Sequence, residues 1–251
     1  MNQKSNPNIE AFQNDVVSNG GYQYTTNAPL SSQMANERLT KATIDSANFI
    51  GANLIDIGCG DGTYTFELLS RGNAKSVVGI DPATDAINLA NKKTGLRNAT
   101  FIPASAYDLP YPNQTFDFAI LRGVLHHLEF PEKAIKEALR VSKEIIVIEP
   151  NGFNPVLKLI EKNSSYHKAH DEKSYTSWKL FQWVRVGNGK VENFSFVGLV
   201  PFFSPNWMAK ICKLFEPMVE SFPILRRICC AVCVFKAKSY HQSNTQVKDV
   251  A

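Results

Sequence analysis

The chain has 251 residues, enough for one α/β domain with appendages and short of two full domains. Hydrophobic residues make up 44% and charged residues 20%, ordinary for a soluble globular protein, and no stretch approaches the roughly 20 apolar residues of a membrane span. The net charge of +4 arises without a long Lys/Arg block, which argues against nucleic-acid binding.

The amino terminus, Met1-Asn-Gln-Lys-Ser-Asn, has no apolar core and does not read as a secretion signal. The five cysteines make no disulfide framework. Together these predict a cytoplasmic protein. Cys230 and Cys233 form a C-x-x-C within the apolar run Ile228–Phe235, which reads as a strand, and a second ligand pair is missing, so no metal is expected.

Residues 1–30 are polar and Asn-rich, with Gly20-Gly21 and Pro29 as breakers, and read as a flexible arm. Tyr22 and Tyr24 form an aromatic pair inside it. Ser31 or Ser32 is placed to cap a helix running toward Phe49. A β/α rhythm follows, with strands at 54–57, 77–80, 99–102, 116–121 and 144–149. Helices are expected from about Thr63 to Arg71, around Ile87 and Ala90, and from Pro131 through Leu139. Alternating strands and helices predict a parallel, doubly wound sheet.

After Pro150 the rhythm changes. Residues 151–173 read as an insert or lid carrying His167 and His170 beside Asp171-Glu172. A helix is expected over 174–186, a strand from Val191 to Phe203, a helical segment from Ser204-Pro205, and a last strand at Ile228–Phe235. Residues 31–236 are thus taken as one domain, with 237–251 as a disordered tail.

The most informative stretch is Leu54-Ile-Asp56-Ile-Gly58-Cys59-Gly60-Asp61-Gly62-Thr63, a buried strand that breaks into alternating glycines and opens a helix. Glycine permits φ > 0 and leaves no Cβ between main chain and ligand. The dinucleotide fingerprint G-x-G-x-x-G would need glycine at 63, where this chain has threonine. Asp56 sets an anion near the place of a pyrophosphate, an arrangement better suited to a zwitterion or a sulfonium cation.

Asp56-Ile-Gly58-Cys-Gly60-Asp-Gly62, with Ile80-Asp81, resembles class I S-adenosylmethionine-dependent methyltransferases. Gly123-Val-Leu-His-His-Leu128 also looks like that family, particularly its quinone and small-molecule group. The resemblance implies a seven-stranded, mostly parallel sheet with an antiparallel last strand and S-adenosylmethionine as cofactor. It places Asp56, Gly58, Cys59, Gly60, Asp61, Gly62, Asp81, Pro82, Ser105, Ala106 and Arg122 around that cofactor. Backbone amides of the glycine loop would face the methionine end, Asp81 the ribose hydroxyls, and Ser105 and Ala106 the adenine. Arg122 is left open between the methionine carboxylate and an ion pair with Asp56 or Glu149.

A hydroxyl acceptor would need a base, and His126 or His127 suits that near neutral pH. From regular structure, two adjacent histidines are not expected to enter one cleft together. Tyr22, Tyr24, His167 and His170 are placed on the substrate side. The acceptor is expected to be a small or lipid-like molecule rather than a nucleic acid, with no stable membrane insertion. The Phe-rich stretch and Trp207–Phe215 are read chiefly as core and edge packing, with an acceptor pocket or membrane contact as the alternatives. Two rival functions stand beside this one, a nicotinamide-dependent oxidoreductase and a non-catalytic S-adenosylmethionine- or S-adenosylhomocysteine-binding protein.

Overall fold

A computed structural model describes residues 28–93, 98–163 and 173–240. Tyr22, Tyr24, His167 and His170 lie outside the described residues. In chain order the elements are α1 (Leu30–Asp45), β1 (Asn53–Ile57), α2 (Thr63–Ser70), β2 (Ser76–Asp81), α3 (Thr84–Lys92), β3 (Ala99–Pro103) and β4 (Phe116–Arg122). A single 3-10 turn (Leu125–His127) precedes α4 (Pro131–Val141) and β5 (Ser142–Pro150). The remainder is α5 (Pro155–Asn163), α6 (Ser177–Val186), β6 (Gly189–Val197), α7 (Asn206–Ser221), α8 (Pro223–Cys229) and β7 (Val232–Ser239).

The strands form one seven-stranded sheet in the order β3-β2-β1-β4-β5-β7-β6. β1 to β5 run parallel, and β7 runs antiparallel to both β5 and β6. Side chains alternate across a strand, so a central strand must be apolar on both faces. Ile55, Ile57, Leu121, Ile145 and Val147 pack on one face with Ala134, Ile135 and Leu139 of α4 and Leu180 and Val184 of α6. Leu54, Ile120, Ile146 and Ile148 pack on the other with Leu39 and Ala42 of α1 and Leu68 and Leu69 of α2. This is the doubly wound sheet the β/α rhythm predicts.

Several boundaries move. Ser31 and Ser32 are buried inside the first turn of α1, and its cap position is Pro29. The insert carries a helix, α5. The helix predicted from 174 starts at Ser177, where the Thr176 side chain accepts a hydrogen bond from the Lys179 amide. β6 stops at Val197, because Gly198 follows at φ +80 and turns the chain away.

Ile228 and Cys229 close α8 rather than open a strand, since Pro223 starts that helix at its first position. β7 runs on through Ala237, Lys238 and Ser239, three residues into the expected tail. Lys236 is held there by Glu144 and Glu192, both at 3.0 Å, while Ala237 is buried.

Candidate active site

In an open α/β sheet, ligands bind outside the carboxyl ends of the strands where the strand order reverses, here between β1 and β4. The glycine loop leaves β1 at that point. Gly58, Gly60 and Gly62 all have positive φ, at 76°, 54° and 75°, so residues with side chains are strained at each. The loop is also tied down internally. The amides of Gly58 and Cys59 both donate to the Ile80 carbonyl, at 2.8 and 2.9 Å, and the Gly62 amide donates to Cys59.

That corrects the expectation of amides turned toward a ligand. It corrects the reason for two of the glycines as well. A Cβ on Gly58 would meet the Val124 side chain at 2.4 Å, and one on Gly62 would meet the Phe101 ring at 2.8 Å. At these two positions the missing side chain makes room for protein. The Gly58 contact also joins the loop to the turn after β4.

Asp81 ends β2 with its carboxylate against the loop, Oδ2 accepting from the Gly60 amide at 3.0 Å and Oδ1 from the Ala83 amide at 2.8 Å. A carboxylate has about four acceptor sites, so two hydroxyl donors can still be taken. Burial pushes its acid up to about 6 against the pull of those two amides, and the Asp61 charge adds to the rise. Pro82 follows, exposed. Asp61 accepts from the Thr63 amide at 3.1 Å and pairs with Lys93 at 3.0 Å, so it braces the entry to α2.

Strand parity explains Asp56 and Arg122. Asp56 shares a face with Leu54, and Arg122 shares one with Ile120, both on the α1/α2 side. Asp56 accepts the Thr65 hydroxyl of α2. Its acid is pushed up to about 6 by burial, offset by Thr65 and the Arg122 charge. Arg122 donates to Thr40 Oγ1 at 2.8 Å and to the Asn36 carbonyl at 3.2 Å, with its guanidinium 3.7 Å from the Tyr64 ring centre. No ion pair joins it to Asp56 or Glu149 among the described residues. A cavity of about 30 Å³ lies beside these groups, lined by Thr40, Asp56, Tyr64 and Arg122 among others.

Cys59 packs its thiol with Ile87, Ala90 and Phe101 and offers the site main chain alone. Burial, then the charges of Asp56, Asp81 and Asp61, raise that thiol strongly. Three carboxylates therefore lie near this thiol. Past β3, Ser105 is exposed and bridges Asp108, while the Ala106 side chain packs in the core.

The turn after β4 is built on a residue given only a passing role from sequence. Glu149, fully buried at the end of β5, accepts the Val124 and Leu125 amides on Oε1, both at 2.8 Å. Its Oε2 lies 2.8 Å from His126 Nδ1 and accepts the His126 amide at 3.3 Å. The signal was available, a carboxylate ending the apolar run Ile145–Ile148. The His126 and His127 rings lie side by side, 3.8 Å between centres. The short 3-10 turn keeps neighbours closer than a strand would.

Residues 55–145 match the family described as "Methyltransferase domain". Over this segment the chain is similar to methyltransferase domains. An uncharacterized methyltransferase of Schizosaccharomyces pombe is 33% identical over 109 residues, 40% of this chain and 37% of that protein. A 2-methyl-6-phytyl-1,4-hydroquinone methyltransferase of Oryza sativa is 31% identical over 93 residues, 37% and 28% of the two chains. A tRNA U34 carboxymethyltransferase of Hahella chejuensis is 30% identical over 121 residues, 45% and 37% of the two chains.

The matched region thus spans about a third of the length of these relatives. Magnesium protoporphyrin IX methyltransferase of Synechocystis, solved with S-adenosylhomocysteine, shares the fold at 14% identity and TM-score 0.58, over 85% of this chain and 89% of that one. The seven-stranded sheet agrees with the fold of that methyltransferase.

Proposed function

We propose that this protein transfers the methyl group of S-adenosylmethionine to a small, lipid-like acceptor. The observation that carries the cofactor half is the Asp81 carboxylate at the end of β2, which accepts the Gly60 amide of the glycine loop at 3.0 Å, with Asp56 and Asp61 on either side of that loop's first glycine. A dinucleotide pyrophosphate would meet these charges as an anion, whereas a sulfonium is attracted by them. The residues present fit the adenosyl group: an acceptor-only carboxylate at the end of β2, next to the loop.

Bound S-adenosylmethionine supplies a methyl carbon activated by positive sulfur. The chain's own part is to position and to move a proton. Asp81 accepts from the ribose hydroxyls while bracing Gly60. Glu149 accepts from His126 Nδ1, which selects the Nδ1–H tautomer and makes Nε2 the basic nitrogen. His126 then takes the proton of an acceptor hydroxyl as the methyl group arrives, and His127 packs against it to fix the ring plane.

The acceptor half is supported by the hydroquinone methyltransferase similarity. Arg122, a cation near the loop, is held by α1 and Tyr64. In this reading Ser105 serves the adenine side, while Tyr22, Tyr24, His167 and His170 lie outside the described residues.

Calorimetry with S-adenosylhomocysteine and with NAD tests the cofactor. Binding of the first is expected; NAD binding with no response to the nucleoside would overturn the proposal. Labelled-methyl transfer into a lipid extract, but not into RNA, is expected for the acceptor class.

A further inference from the structure

Helix α7 is turned inside out. Its carboxylates point inward: Glu216 accepts the Leu199 amide at 3.0 Å, and Glu220 accepts the Gly198 amide at 2.8 Å and the Arg38 guanidinium at 2.6 Å. Its large apolar side chains point out. Trp207, Ile211, Leu214, Phe215, Met218 and the cap residue Phe222 are all exposed, Leu214 at 75% and Trp207 at 67%. At 3.6 residues per turn these positions fall in a stripe about 100° wide. The sequence reading of Trp207–Phe215 as core packing does not hold for this face.

The stripe continues into α8, where Ile224 and Ile228 are exposed. α8 is fastened to the loop after β5, with Asn151 Nδ2 donating to the Arg227 carbonyl at 2.8 Å and Asn154 Nδ2 to the Cys229 carbonyl at 3.1 Å. Glu149 lies just before that loop, so the apolar face is attached to the same sheet edge as the candidate site.

Charge identifies the occupant. With Glu216 and Glu220 turned inward, the outward charges of this segment are basic, Lys210 and Arg227 on the exposed surface and Arg226 partly so. Arg227 also stacks over Phe153 at 4.2 Å. In a two-fold dimer the same patch meets itself, setting these cations against their own copies. Among the described residues no helix is long and apolar enough to cross a membrane. Apolar area, tryptophan and flanking cations on a surface helix are the ingredients of an interfacial lipid contact.

We propose that the α7–α8 face docks on an anionic lipid surface, with its apolar stripe at the headgroup boundary and Lys210, Arg226 and Arg227 against lipid phosphates. The inference goes beyond the methyl-transfer proposal and does not need it, because docking is read without turnover and S-adenosylhomocysteine binding is measured separately.

The test is sedimentation of the full chain with vesicles of phosphatidylcholine alone or mixed with phosphatidylglycerol. The protein is expected to sediment with the mixed vesicles and to be released by salt. Leu214→Glu should cut the bound fraction about tenfold. The pair Lys210→Glu and Arg226→Glu, which leaves the apolar stripe intact, should cut it as far. Circular dichroism checks that each variant is folded. Failure to bind either vesicle, binding that ignores both sets of substitutions, or a dimer that Leu214→Glu dissociates without any vesicle binding would each overturn the proposal.

Discussion

Glu149 Oε2 and His126 Nδ1 lie 2.8 Å apart, and the same carboxylate takes the amides of Val124, Leu125 and His126. One buried group therefore holds the path of the turn and, in the proposed mechanism, the tautomer of the histidine. Glu149→Gln keeps the shape but can present an N–H to Nδ1, which moves the imidazole proton to Nε2 and removes the base. Turnover is expected to fall about 100-fold, with a much smaller change in S-adenosylhomocysteine affinity. The pH–rate profile should lose its ascending limb. A stability loss with an unchanged profile would show that the pair is only structural.

Asp81 gives two pH effects of opposite sign. Its acid rises from 3.8 to about 6 in the folded chain, so the folded state holds a proton that the unfolded state has released between those values. That contribution to stability is full below about 3.8 and is lost as pH rises through about 6; Asp56 acts in the same direction. Ribose binding needs the ionised acceptor, so S-adenosylhomocysteine affinity should fall about tenfold per unit as pH drops below about 6. Calorimetry across that range should show the decline in the native protein and a weak, flat response in Asp81→Asn.

Arg122 is expected to matter for α1 before it matters for ligand. Thr40→Val removes the acceptor 2.8 Å from its guanidinium and should cost about 1 kcal/mol in urea unfolding, with cofactor affinity unchanged. Arg122→Lys keeps the charge but loses the planar stack on Tyr64, and should cost about 1–2 kcal/mol. An unchanged unfolding midpoint in both would return Arg122 to the ligand.

The sheet was legible because its signals are local. Apolar runs such as Ile145–Ile148 alternate with helix starts such as Pro131. The glycine loop was legible as a loop, but not the partner each glycine faces. Gly58 is set by Val124 and Gly62 by Phe101, contacts between segments far apart in sequence. Arg122 was ambiguous because its register against Asp56, which decides the face it lies on, exists only once β1 and β4 pair. The outward face of α7 was hidden for a related reason. Apolar side chains at helical spacing look the same whether they meet a core or solvent, and only Glu216 and Glu220 turning inward separates the two.

Gly62 offers the sharpest test of that packing account. A Cβ there would stand 2.8 Å from the Phe101 ring and 3.1 Å from Ala90, at a φ of +75 that side chains rarely adopt. Gly62→Ala thus carries two costs, about 1–2 kcal/mol for the left-handed backbone and about 1–3 kcal/mol for overpacking. Phe101→Leu alone should destabilise by about 1 kcal/mol, since it gives up the edge contact with Phe66 at 5.4 Å. It also vacates the space the new methyl group needs. The double variant should therefore be more stable than the sum of the singles predicts, with a coupling of about 1 kcal/mol or more, while the backbone cost persists. Urea unfolding of the four proteins in the cycle measures it. Strict additivity would mean that the glycine is required by the backbone alone, and that the loop is free of Phe101.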